Sequence, residues 1–127
     1  MTAGLGTAVA PYELTLTKLA IADDAYFETL LSGESACVAE SHLDEKMHAL
    51  VRLGALIGVD ATTPGYMWTV EMAYRHRASN DELVGCLIAA LPAIGVANVV
   101  AATPKLALAL GYDVTAALEE RRLTDAG

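Results

Sequence analysis

Residues 83–104 read LVGCLIAALPAIGVANVVAATP, a run with no charged side chain. About 20 apolar residues are enough to cross a bilayer as a helix, so the stretch has first to be weighed as a membrane span. It contains Pro92, Gly95, Asn98 and the pair Thr103-Pro104, and it is built from Ala and Val more than from Leu and Phe. The nearest upstream basic residue is Arg77, and Lys105 stands alone downstream. No asymmetry of positive charge therefore sets a topology. The better reading is a pair of helices that are apolar all round and buried by protein. A chain of 127 residues has little interior in which to hide such helices. The surplus of apolar surface predicts an oligomer.

The rest of the composition agrees with a small, well-packed domain. Hydrophobic residues make up 54% and charged residues 19%, which excludes a disordered chain. Lys and Arg number 8 against 16 Asp and Glu, a net charge of −8. Nucleic-acid binding needs clustered cations on a surface, and binding to anionic lipid needs them too. The expectation is therefore no nucleic acid and no membrane partner. Two cysteines, Cys37 and Cys86, make neither a disulfide framework nor a zinc set. Free thiols in a reducing, cytoplasmic setting are expected. The start, MTAGLGTAVAPYE, has no basic n-region and too short an apolar run for a signal peptide.

Working outward, every segment has helical rather than alternating periodicity. Pro11 opens an apolar-periodic stretch over 12–31, one helix or two short ones, ending at Ser32-Gly33. Residues 33–40 read as a connector. Ser41, three residues before Asp44, reads as a variant capping box for a helix carrying Met47, Leu50, Val51, Leu53, Leu56 and Ile57. Pro64 opens a helix running to about Ala78. Ser79-Asn80-Asp81-Glu82 is a capping-box start for a helix that breaks near Pro92 and Gly95. A short helix over 96–102 follows. Thr103-Pro104 starts another that stops at Gly111, and Asp113 caps a last one over 114–122. The predicted fold is all-α, a compact bundle of about six helices, taken as one domain with an N-terminal helical extension over 1–40 and a core over 43–113.

The order of these parts carries a resemblance. The run LDEKMHALVRLGALIGV, followed by TPGYMWTVEMAYRHRASNDELVGCLIAALPAIGVANVVAATPKLALALGYD, resembles the carboxymuconolactone decarboxylase-like family, which includes the alkylhydroperoxidase-D type proteins. The similarity covers residues 43–113. It implies an all-helical fold, assembly as trimers or hexamers, and a small-molecule substrate. The peroxidase members of that family use a Cys-x-x-Cys pair, a histidine on the same helix and an upstream acid. On this chain those positions are Thr62, Gly65, Thr69 and Leu50. Without a thiolate there is no peroxidatic nucleophile at that place. Decarboxylase members rely on the same histidine. If the chain is an enzyme, the resemblance thus implies decarboxylase- or lyase-like chemistry rather than thiol peroxidase, with no cofactor.

Candidate site residues lie mainly on the helix over 66–77. Tyr66, Thr69 and Ala73 fall on one side, and Trp68, Glu71, Met72 and Arg75 on an adjoining one. Glu71 is the candidate general acid or base, against an ion pair with Arg75. Tyr66, Trp68 and Thr69 are candidate substrate contacts, Trp68 as a stacking platform. Arg52, set between Val51 and Leu53, is the candidate holder of a carboxylate, against an ion pair across an interface. Glu45-x-x-His48 has the spacing of a di-iron step, but such a site needs two steps and two further glutamates, so no metal is expected. His76, between Arg75 and Arg77 at a helix end, reads as structural, and His42 carries no motif. Cys86 reads as a core residue and Cys37 as an exposed one. Two functions stay open: a homo-oligomer that binds a small organic molecule, including a carboxylate, between helices with thiol-independent activity, or a non-catalytic structural or partner-binding member of the same fold.

Overall fold

A computed structural model describes residues 8–126. Among them are eight α-helices and no strand. The all-α expectation holds, while the count of about six is too low. The chain divides into two compact units, Met1–His42 and Leu43–Gly127.

The first unit contains α1 (Pro11–Ala20), α2 (Asp24–Leu31) and α3 (Glu34–Ser41). The stretch over 12–31 is two helices because Ala22 turns left-handed at φ 54 and Asp23 then caps α2, accepting from the Tyr26 amide at 2.9 Å. The expected connector over 33–40 is itself α3. Its short polar residues gave no apolar period to read, and the Tyr26 hydroxyl of α2 donates to Glu40 Oε1 at 2.9 Å. Lys18 of α1 lies 5.0 Å from the centroid of the Tyr26 ring. No described side chain of this unit is fully buried.

The second unit contains α4 (Glu45–Gly58), α5 (Thr63–Arg75), α6 (Asn80–Ile94), α7 (Val96–Ala109) and α8 (Val114–Ala126). Asp44, not Ser41, caps α4, accepting from the Met47 amide at 2.7 Å. The Ser79–Glu82 capping box forms as expected: the Glu82 amide donates to Ser79 Oγ at 3.0 Å, and the Ser79 amide donates to Glu82 Oε1 at 2.9 Å. Asp113 caps α8 through the Ala116 amide.

The uncharged run folds as two helices parted at Gly95, whose φ of 88 suits a residue without Cβ. Neither proline stops its helix. Pro92 lies in the last turn of α6 and Pro104 lies inside α7, so the expected separate helices over 96–102 and 104–110 are one. A proline removes one helical hydrogen bond, and packing of α7 along both α5 and α6 carries the helix through. Among the described residues no helix is long and apolar enough to cross a membrane.

The core is the seam where α4, α5, α6 and α7 meet. Leu53 and Ile57 of α4, Tyr66 and Val70 of α5, Leu83 of α6 and Leu106 of α7 are its largest buried side chains. Each contributes about 1.5–3 kcal/mol by leaving water.

Candidate functional site

The core seam sorts the candidate residues. On α5, Tyr66, Thr69, Val70, Met72 and Ala73 point inward and are buried. Trp68 and Glu71, two residues on from Tyr66 and Thr69, sit about 200° around the helix and face outward, Trp68 at 57% exposure. The structure therefore groups Tyr66 with Thr69 and separates both from Trp68 and Glu71. Met72, placed with Trp68 on sequence, is in the core. Glu71 Oε1 accepts from Arg75 Nη2 at 2.8 Å, with both side chains more than half exposed. That surface pair is worth a few tenths of a kcal/mol. Arg52 is half-buried on α4, next to buried Leu53.

Tyr66 is the buried group whose chemistry is most altered. Its hydroxyl has no hydrogen-bond partner. Burial, and secondarily the Asp60 charge, push its pKa above the usual phenol value. It is neutral at pH 7 and supplies no base. Asp60 itself is drawn to Lys105 of α7, whose Nζ lies 2.7 Å from Asp60 Oδ1 and 3.0 Å from the Ala61 carbonyl. This bridge fixes the turn from which α5 starts.

The remaining polar candidates have structural roles. Glu45 of the Glu-x-x-His step pairs with His76 Nε2 at 2.8 Å, while His48 is turned into the buried face of α4. Among the described residues no group of three or more His, Cys, Asp or Glu side chains could hold a metal ion. Cys37 and Cys86 are both half-buried, and neither is in a disulfide. Cys86 Sγ lies 3.5 Å from the Glu82 carbonyl and 3.7 Å from that of Leu50, and burial raises its pKa. A thiol so placed is a weak nucleophile.

Two concavities of the second unit differ in kind. The ends of α4 and α5 enclose an open hollow of about 560 Å³ lined by Asp44, Glu45, Lys46, Arg75, His76 and Arg77. Most of its charges are already satisfied: Glu45 by His76, Arg75 by Glu71, and Lys46 by Glu82 at 2.6 Å. The other is a cavity of about 150 Å³ between α6, α7 and the start of α8, with Leu87, Leu106 and Leu110 in its wall. Sequence reasoning missed this cavity. In helices that are apolar all round, nothing in the period marks which leucine lines a space and which fills one.

Comparison of the chain with protein-family models, with characterised proteins and with solved structures finds no match.

Proposed function

We propose that the chain is a self-associating helical protein, organised like the carboxymuconolactone decarboxylase-like assemblies, that binds a small organic molecule between helices. The observation that carries the self-association is the outer surface of α6 and α7. Ile88, Val96 and Val100 are 68%, 68% and 63% exposed, on helices with no charge between residues 83 and 104. Apolar surface of this kind gains about 25 cal/mol per Å² when a second copy covers it. Oligomers of one chain are commonly closed and symmetric, and a trimer or hexamer is the expected state.

Binding rather than catalysis is the favoured activity. Glu71 is solvated and paired with Arg75, not set in a closed pocket where a general acid or base would meet a substrate. Trp68, exposed beside it, contributes to a ligand site where a second copy closes over the α5 face, and Arg52 is the proposed carboxylate contact. The family reading is carried by the sequence pattern over 43–113, and the lack of a Cys-x-x-Cys pair at Thr62 and Gly65 makes it a reading without thiol chemistry. The solvated Glu71 also favours a second reading, a purely structural member of such an assembly.

Sedimentation equilibrium and native mass spectrometry of the purified chain test the proposal. A trimer or larger, carrying a co-purified small molecule, is the expected result. A 13.3 kDa monomer at all concentrations overturns the assembly. An oligomer that carries and accepts no ligand leaves the structural reading in its place.

A further inference from the structure

We propose that the cavity between α6 and α7 is the seat of a small, uncharged, apolar molecule about the size of one six-membered ring. This goes beyond the reading above, because the cavity shares no residue with the α5 face or with Arg52. The argument begins with the wall. Val84 and Leu87 come from α6, Leu106 from α7, Leu110 from its C-cap, Tyr112 from the turn that follows and Val114 from the start of α8. No charged residue contributes to it. Its one inner hydroxyl, on Thr103, already donates to the Val99 carbonyl at 2.7 Å. Water on this apolar floor finds few hydrogen-bond partners, and the hollow opens to solvent on the side where Val84 and Tyr112 are 40% and 57% exposed.

Size then selects the occupant. The volume is about 150 Å³, the scale at which a leucine-lined cavity takes up benzene. A bicyclic or longer-chain ligand exceeds it. A carboxylate or phosphate has no partner in it and would pay the cost of leaving water.

The entrance is also defined. Leu106 is 1% exposed and Leu87 7%, whereas Tyr112 is 57% exposed. The floor is therefore where α6 and α7 meet, and the opening lies beside the phenol ring. Tyr112 is held there by backbone geometry. Gly111 adopts φ 86, and the Tyr112 amide donates to the Ala107 carbonyl at 2.9 Å. Asp113 then caps α8 and brings Val114 to the wall. An aromatic face at the mouth of an apolar cavity favours a planar apolar guest.

Toluene titrated into the intact chain, followed by methyl NMR and by thermal melts, tests the proposal. Toluene is expected to raise the melting temperature and to give contacts to the Leu106 and Leu110 methyls, with benzoate binding at least tenfold more weakly. Val84→Phe, which puts a ring into the cavity from its edge, should weaken toluene at least tenfold. Val51→Phe, the same bulk on the exposed side of α4 and away from the cavity, should leave it unchanged. The leucine methyl contacts in the parent chain stand even where Val84→Phe fails to fold. Benzoate binding more tightly than toluene, with Arg52→Ala abolishing it, would overturn the apolar seat in favour of a carboxylate site at Arg52. No toluene contact at Leu106 or Leu110, or methyl contacts there from a second copy of the chain, would overturn it outright. Sedimentation of the same samples separates the outcomes: an oligomer that ignores toluene fails this inference alone, and a monomer that binds it fails only the assembly.

Discussion

Arg77 occupies a backbone position that glycine normally fills, and replacing it with glycine should make the protein more stable. Helix α5 ends in a Schellman motif. The Ala78 amide donates to the Ala73 carbonyl at 3.0 Å, and the Arg77 amide donates to the Tyr74 carbonyl at 3.1 Å. Arg77, the residue between, sits at φ 68. For a side chain with Cβ that conformation costs roughly 1–2 kcal/mol. Glycine removes the cost but loses about 0.5–1 kcal/mol through the freedom it gains in the unfolded chain. The balance for Arg77→Gly is a gain of about 0.5–1 kcal/mol, or roughly 2–4 °C for a chain of this length. The Arg77 guanidinium makes no ion pair among the described residues, so little is lost with it. Thermal and urea melts followed by circular dichroism, at fixed protein concentration because self-association shifts apparent stability, measure the change. Gly111→Ala, at the matching position after α7 with φ 86, should move the other way by about 1 kcal/mol. A lower melting temperature for Arg77→Gly would refute the reasoning and show that the guanidinium holds the hollow between α4 and α5 together.

Three further outcomes follow from burial and charge. Leu53→Ala, at a side chain with 0% exposure, should cost about 2–5 kcal/mol in urea melts, while Val51→Ala, exposed on the same helix, should stay within about 0.5 kcal/mol. The hydrogen bond from Lys46, with the Ser79 amide, holds the Glu82 pKa below its usual value. A depressed carboxyl stabilises the fold above its unfolded value, about 4.3, and loses that contribution as pH falls through the folded one. Glu82→Gln keeps the capping box, so it should be less stable than the parent at pH 7 and indistinguishable from it in acid. In a Cys37→Ser background, Cys86 should react with iodoacetamide much more slowly in the folded chain than in urea, because burial keeps its thiol protonated.

The starts of α6 and α8 were legible in the sequence because each is carried by a side chain that acts locally. Ser79 with Glu82, and Asp113 with Ala116, need only three residues of chain to make their bonds. Helix ends were legible where glycine makes them, at Gly95 and Gly111, and not at three others. Ala22, Asp60 and Arg77 all terminate helices in the left-handed region, where the expected signal is glycine or asparagine. Asp60 tolerates the position better than most, and Lys105 holds its carboxylate. That ion pair joins residues far apart in sequence, so no local reading finds it. Pro92 and Pro104 mislead in the opposite direction, since the local rule stops a helix and tertiary packing on α5 and α6 continues it.

The site is harder to read for a reason that lies in α5 and α6 themselves. Both arcs of α5 carry aromatic and polar residues: Tyr66 and Thr69 on the buried arc, Trp68, Glu71 and Tyr74 on the exposed one. The sequence sets the angle between the arcs, because that follows from 3.6 residues per turn. It does not set which arc meets the core, because hydrophobicity does not separate them. On α6 the ambiguity is complete. Leu87 is 7% exposed and its neighbour Ile88 is 68% exposed, yet both are equally suited to a core. What distinguishes them is the position of α7 and of the turn through Gly111, which come later in the chain. A face left uncovered by those elements still carries core-type residues, and the free energy of leaving them in water is the same term that buries Leu87. Ile88, Val96 and Val100 are therefore core-type residues that the described fold leaves in water, and the proposed self-association is the step that would cover them.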